Sequence, residues 1–319
     1  MKDLIILGNG MAGMTAALYA KRANLNFKIV GRDEYDFGQI GNAVLVENYP
    51  CAGSQTGFDL AMSLHRQLED NGIKVEEHEI ISVEKATGIS PQKYIINYSD
   101  GTVDETKSII YALGATPYKL KCEIETGVPI HYCAICDGPL YKDKTVAIIG
   151  GGDVAFTQAE YLSKICKQVS IVMCDRNITA APSTFDRVSK IKNIRIIYDF
   201  VINEIVTNKF YIVDNNNEGH RFIIFRQVPD DGKARLLGIS ADGIFVAIGM
   251  KPNIAPLDIF LDCWDEKGHI ITDNECRTKY PGLFAAGDIR QKQVRQAITA
   301  AADGAIAVQG VINYLKSQD

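Results

Sequence analysis

Residues 4–13 read Leu-Ile-Ile-Leu-Gly-Asn-Gly-Met-Ala-Gly, and the chemistry of that stretch decides the fold. Four aliphatic residues without polar alternation predict a short strand buried on both faces. Gly8-x-Gly10-x-x-Gly13 then opens an apolar stretch at helical spacing through Ala16, Ala17 and Ala20 to about Ala23, and Phe27 to Val30 predicts the next strand. A strand, a tight glycine turn and a helix N-terminus make the opening of a dinucleotide-binding βαβ unit, whose backbone amides and helix dipole receive a pyrophosphate. The layout recurs. Thr145 to Ile149 reads as a strand, Gly150-Gly151-Gly152-Asp153-Val154-Ala155 as the turn, and a helix runs on towards Ser163 before a strand at Val169 to Met173.

The two turns lie 142 residues apart (8 to 150). Tyr111-Ala-Leu-Gly-Ala-Thr-Pro117 and Val246-Ala-Ile-Gly-Met-Lys-Pro252 lie 135 apart (111 to 246). Such near-equal offsets predict an α/β fold of two Rossmann-like, three-layer ββα dinucleotide-binding domains, the second inserted in the first. Residues 1–113 and 245–319 form the first domain and 114–244 the second. Between each turn and its exit the sequence predicts β-hairpins, Ile95 to Tyr98 turning at Ser99-Asp100-Gly101, and Phe210 to Val213 pairing with Phe222 to Phe225 around an Asn-rich turn.

Composition narrows the function. The chain has 319 residues, 46% hydrophobic and 23% charged, which is globular and excludes disordered, collagenous or coiled-coil classes. A net charge of −5 offers no basic field to nucleic acid or an anionic membrane. Apolar runs such as Ile244 to Met250 are too short to span a bilayer, and four aliphatic residues after Lys2 and Asp3 make no signal peptide. A soluble cytoplasmic enzyme is expected.

Eight cysteines are too sparse for a disulfide scaffold, but Cys133-Ala134-Ile135-Cys136 can close a small loop. A short helix beginning at Asp137 or Pro139 would favour a reactive thiol. With no second C-x-x-C and five histidines lacking paired spacing, neither a metal site nor an iron–sulfur cluster is expected. Cys51, Cys122, Cys166, Cys174, Cys263 and Cys276 read as buried small hydrophobes. Late in the chain, Gly282 to Asp288 reads as a strand ending in an acid on a glycine turn, and Arg295-Gln296-Ala297 opens an alanine-rich helix running to Val308.

Taken together, the glycine turn at residue 8, Cys-Ala-Ile-Cys-Asp-Gly just before a second glycine turn, and Ala-Ala-Gly-Asp-Ile-Arg with a later Arg-Gln-Ala resemble the low-molecular-weight thioredoxin reductases along essentially the whole chain. The resemblance implies FAD held by Gly8, Gly10, Ala12 and Gly13, with Gln39 and Asn48 close to the flavin. Gly287, Asp288, Arg295, Gln296 and Ala297 would supply its C-terminal flavin motif. It implies Cys133 and Cys136 as the redox disulfide, Asp137 as the acid/base of thiol exchange, thioredoxin as partner, and a homodimer. Phe37 and Cys51 stand where the family has glycine.

The resemblance also implies NADPH at the second turn, and here the residues depart. The family's His-Arg-Arg aligns with Met173-Cys174-Asp175, its later arginine with Thr179, and its acidic pair with Thr157 and Gln158. Loss of one charge-assisted contact to a 2′-phosphate costs about 1.5–3 kcal/mol. On that ground the sequence reads as most like the ferredoxin-dependent flavin thioredoxin reductases, with ferredoxin rather than NADPH as donor. An acidic ferredoxin would meet Arg187, Lys190, Lys192 and Arg195, or Arg290, Lys292 and Arg295. The alternatives are an NAD(P)H-dependent reductase with Asp175, 20 residues past Ala155, as NADH ribose anchor, a flavin dithiol oxidase, and a flavin redox sensor.

Overall fold

Leu4–Leu7 is a strand with all four residues fully buried, and it lies at the centre of a five-stranded parallel sheet. The order across that sheet is Leu283–Ala285, Ile109–Tyr111, Leu4–Leu7, Phe27–Gly31, Val75–Glu77. The structure is a computed structural model describing residues 1–86, 93–121, 123–124, 130–206, 222–227, 235–254 and 262–318. Its helices are α1 (Met11–Arg22), α2 (Gly57–Asp70), α3 (Ala134–Asp137), α4 (Asp153–Ser163), α5 (Pro182–Val188) and α6 (Ala297–Lys316).

The chain forms two units, residues 1–41, 45–116 and 251–319 in one, and 42–44 and 117–250 in the other. Apart from the short segment 42–44, the chain changes unit after residue 116 and again before residue 251, within the two glycine–proline exits and a few residues past the expected 113 and 244. The second unit repeats the first. Its parallel sheet runs Ile130–His131, Gly243–Val246, Thr145–Ile149, Gln168–Val172, Ile194–Ile197.

Each unit adds an antiparallel layer. In the first it is Ile80–Lys85, Tyr94–Tyr98 and Val103–Thr106, whose last turn is set by Asp100 accepting from the Thr102 amide at 2.9 Å. In the second it is Phe200–Val206, Phe222–Gln227 and Arg235–Ser240. Parallel sheet, helix and antiparallel layer make two Rossmann-like ββα dinucleotide-binding folds. The expected partner strand at Phe210 to Val213 lies outside the described residues.

Alanine content explains the close helix packing in the first unit. Met11, Ala12, Gly13, Met14, Ala16, Ala17 and Ala20 are buried on α1, and small side chains let α6 approach its backbone. At Gly304 a Cβ would stand 2.2 Å from the Ala12 carbonyl oxygen. The helix predicted to run to Val308 continues to Lys316 because Val311 is buried and Ile312, Tyr314 and Leu315 pack, partly buried, on the same core. Among the described residues no helix is long and apolar enough to cross a membrane. Gly304→Ala is expected to cost about 1–3 kcal/mol, because a backbone carbonyl cannot step aside as a side chain can, read as a lower urea midpoint.

Candidate active site

The first glycine turn is built for close backbone approach. Gly8 has φ +108°, and a Cβ there would be 2.4 Å from the Ala112 oxygen. A Cβ on Gly13 would be 1.8 Å from the Gly8 oxygen. Gly10 is different, since its Cβ would meet only the Phe37 oxygen at an ordinary 3.5 Å. Gly10 caps α1 with no side-chain hydrogen bond, so the first-turn amides stay available to an anion. Packing therefore requires two of these glycines, and the third leaves a clear path to the helix end. Ala12 is buried against α6, as its neighbour Gly304 demands.

At the far end of the same unit, Gly287 (φ +83°) and Asp288 follow strand Leu283–Ala285. Asp288 Oδ1 is buried with no hydrogen-bond partner among the described residues, 3.5 Å from the Lys292 ammonium. Burial pushes its carboxyl above the usual range, against the pull of Lys292. Arg295 Nε is likewise buried and unpartnered. Gln296 caps α6 reciprocally with Thr299 and accepts from Asn48 Nδ2 at 3.1 Å, while Ala297 begins the helix. Gln39 is exposed. An open glycine cradle, a buried carboxylate oxygen and a buried guanidinium nitrogen that both lack a hydrogen-bond partner among the described residues fit FAD, which these residues would hold by its phosphates and hydroxyls.

Two residues the sequence reading passed over organise this end. Asp303 is buried on α6, and its carboxylate accepts from the Gly287 amide at 3.0 Å, Arg290 at 2.7 Å and Lys292 at 2.9 Å. Its only signal in the sequence is a lone acid in an alanine-rich helix. Asn9 donates to the carbonyls of Asp33 and Glu34 at 2.9 and 3.1 Å, tying the glycine turn to the end of the second strand. Of the two departures from the family pattern, Phe37 is buried among Tyr35, Phe58 and His65, and Cys51 takes φ +67°. That conformation is the physical reason a glycine is at home there.

In the second unit Cys133 and Cys136 form a disulfide, Cα–Cα 5.4 Å. The helix is not the one expected. The pair sits on α3 itself, with Cys133 as N-cap and its Sγ accepting from the Cys136 amide at 3.2 Å, and Asp137 ends that turn. Pro139 lies in the 3₁₀ turn that follows, Gly138–Tyr141. Asp137 Oδ2 lies 3.0 Å from His131 Nδ1, and His131 Nε2 lies 2.6 Å from the Tyr141 hydroxyl. Neither His131 nor Tyr141 was singled out from the sequence.

The other cysteines divide. Cys166, Cys263 and Cys276 are buried, and burial pushes the Cys276 thiol up to about 12. Cys51 and Cys174 are exposed, contrary to expectation, because each sits in a loop past the end of its strand or turn. Cys122 lies outside the described residues. Among the described residues no group of three or more His, Cys, Asp or Glu side chains could hold a metal.

The second glycine turn repeats the first. A Cβ on Gly150 (φ +144°) would be 2.1 Å from the Ala247 oxygen, and Gly152 caps α4 without a side-chain hydrogen bond. Met173 is a core residue packed on Gly151. Asp175 is exposed and accepts from the Asn177 amide at 2.8 Å. Asp288→Ala is expected to weaken flavin retention about ten- to a hundredfold, the worth of one or two hydrogen bonds to a charged group, measured by flavin released on dialysis.

A model of the pyridine nucleotide-disulphide oxidoreductase family matches residues 2–304. The chain is 34% identical to a thioredoxin reductase of Borreliella burgdorferi, covering 99% of this chain and 93% of that one. It is 35% identical to a 34.2 kDa protein in the rubredoxin operon of Clostridium pasteurianum, covering 98% and 97%. The solved thioredoxin reductase of Lactococcus lactis superposes with a TM-score of 0.86 at 31% identity, covering 99% and 100% of the two chains.

These matches overturn ferredoxin as donor, and with it the likeness to ferredoxin-dependent enzymes and the exclusion of NADPH. The structure takes part of the basic faces offered to a ferredoxin out of play. Arg187 is held by both carboxylate oxygens of Glu160 at 3.0–3.1 Å, and Arg290 and Lys292 both pair with the buried Asp303, whereas Lys190, Lys192 and Arg195 are exposed. By its family match and its relatives along the whole length, the chain belongs to the pyridine nucleotide-disulphide oxidoreductase family, as an oxidoreductase of the disulfide-reductase type with a FAD-binding Rossmann-like fold.

Proposed function

We propose that the chain is a thioredoxin reductase driven by a reduced pyridine nucleotide, NADPH or NADH. The observation that carries this reading is the Cys133–Cys136 disulfide placed in the same unit as a second, uncapped glycine turn. Gly150 is demanded by packing, but Gly152 meets only the end of the Thr179 side chain, at 3.2 Å. Its bareness therefore favours a ligand at the start of α4. Gly150, Gly152 and the α4 amides would take the nucleotide's pyrophosphate, and the exposed Asp175 could accept from a ribose hydroxyl.

FAD supplies, when bound, the two-electron exchange between a nicotinamide and a disulfide. The chain's own residues carry the thiol steps. One thiol of the reduced pair gives its proton to Asp137, and the thiolate attacks a sulfur of the thioredoxin disulfide. That S–S bond breaks, and the departing sulfur takes up a proton. The second enzyme thiol then attacks the mixed disulfide, releasing dithiol thioredoxin and restoring Cys133–Cys136. Two electrons and two protons pass to thioredoxin in each cycle. The resemblance points to a homodimer, and dithiol chemistry of this kind belongs in the reducing cytoplasm.

The test is an anaerobic titration of the oxidised protein with NADPH and, separately, NADH. Bleaching of the flavin band is expected with at least one nucleotide, complete by about two equivalents because the flavin and the Cys133–Cys136 disulfide each take two electrons, and no bleaching by either overturns the reading. Cys133→Ser should keep that bleaching and lose thioredoxin reduction. Asp175→Ala should raise KM for NADH severalfold if NADH is the nucleotide used.

A further inference from the structure

Three segments converge on the redox pair from within its own unit. Strand Ile130–His131 lies at the edge of the parallel sheet, and His131 stands in register opposite Phe245. Two residues later Cys133 begins α3, Asp137 closes it, and the 3₁₀ turn brings Tyr141 back to the strand. The imidazole is clamped between rings, 5.1 Å from Phe245 and 5.3 Å from Tyr141, and its side chain is 13% exposed. Tyr141 itself is 6% exposed and fits only because residue 243 is glycine, where a Cβ would stand 2.3 Å from its ring. Space, register and ring packing are all spent on holding one histidine.

We propose that His131 is a positioning residue of the redox pair, the middle of a Tyr141–His131–Asp137 hydrogen-bonded chain that holds the Asp137 carboxylate in place for proton exchange with the thiols. The carboxylate can only accept, so Nδ1 carries the proton directed at Asp137. The Tyr141 hydroxyl on Nε2 secures that tautomer. The ionisable groups around the imidazole are Asp137 on α3 and Tyr141 on the following turn. Lys144 lies 6.0 Å from the Tyr141 ring, and strand Gly243–Val246 presents the uncharged Phe245. A donated hydrogen bond favours the charged form of a carboxylate. Without it, the carboxylate loses the donor that orients it and compensates its charge, and the thiols pass a proton to it less readily.

This inference rests on the acid/base role proposed for Asp137, but its test needs neither nucleotide nor thioredoxin. The protein is reduced with dithiothreitol, freed of reductant under argon and alkylated with iodoacetamide across a pH series. Modification of Cys133 and Cys136 is read by mass spectrometry. His131→Leu is expected to raise the pH midpoint of alkylation by about one unit, a tenfold loss at the foot of the profile. His131→Asn, whose amide can donate from the place of Nδ1, should restore the wild-type midpoint, and His131→Gln, which reaches the Nε2 position, should not. A His131→Leu midpoint equal to wild type overturns the proposal. If the leucine variant does not fold, equal midpoints for the asparagine and glutamine variants overturn it. A protein whose flavin ignores both nucleotides yet shows these shifts would refute the donor and leave His131 standing.

Discussion

The constraint on which both units rest is the contact of a bare α-carbon with a carbonyl oxygen at the end of a parallel strand. Gly8 against Ala112 and Gly150 against Ala247 leave 2.4 and 2.1 Å where a Cβ would be, and both residues have positive φ. Any other residue would push the first strand from its neighbour and displace the helix that follows. Because the strand ends there, that helix begins with its amides uncapped in the crevice where ligands of such sheets bind. Sheet, helix and anion site are thus one object.

Comparison of the two sheets shows how the same frame carries two chemistries. In the first unit the edge strand Leu283–Ala285 comes last in the chain and delivers Gly287 and Asp288. In the second, the edge strand Ile130–His131 comes before the central strand and delivers Cys133 and Cys136. The cysteine pair thus occupies the place, relative to its sheet, that the acidic glycine turn occupies in the other unit. One position presents the Asp288 carboxylate beside Lys292 and the other a redox disulfide.

Charge in this protein is spent inward. Asp303 gathers Arg290, Lys292 and the Gly287 amide in a buried network, and Glu160 takes both arms of Arg187. Arg187, Arg290 and Lys292 read as basic surface in one dimension and are braces in three, while Lys190, Lys192 and Arg195 stay exposed. The misreading of the donor came from the same source. A strand-end triplet, Met173-Cys174-Asp175, was weighed as a lost phosphate pocket, although Met173 is a core residue on Gly151. That triplet, with Thr179 and the Thr157–Gln158 pair, is a handful of positions and cannot outweigh a match along the whole chain.

The sequence by itself determined the two glycine turns, the alternation of strands and helices, the insertion of one unit in the other, and the Cys133–Cys136 pair. Each of these is a local demand of backbone geometry or of residue spacing, legible without neighbours. Only the tertiary structure decided what Asp303, His131 and Tyr141 do, where α3 begins, and that Arg187 and Arg290 are held by carboxylates. Those are matters of distance between segments remote in the chain. A histidine two residues before a cysteine is unremarkable in sequence until a strand edge, a 3₁₀ turn and a bare Gly243 close around it, because hydrogen bonds depend on positions in space.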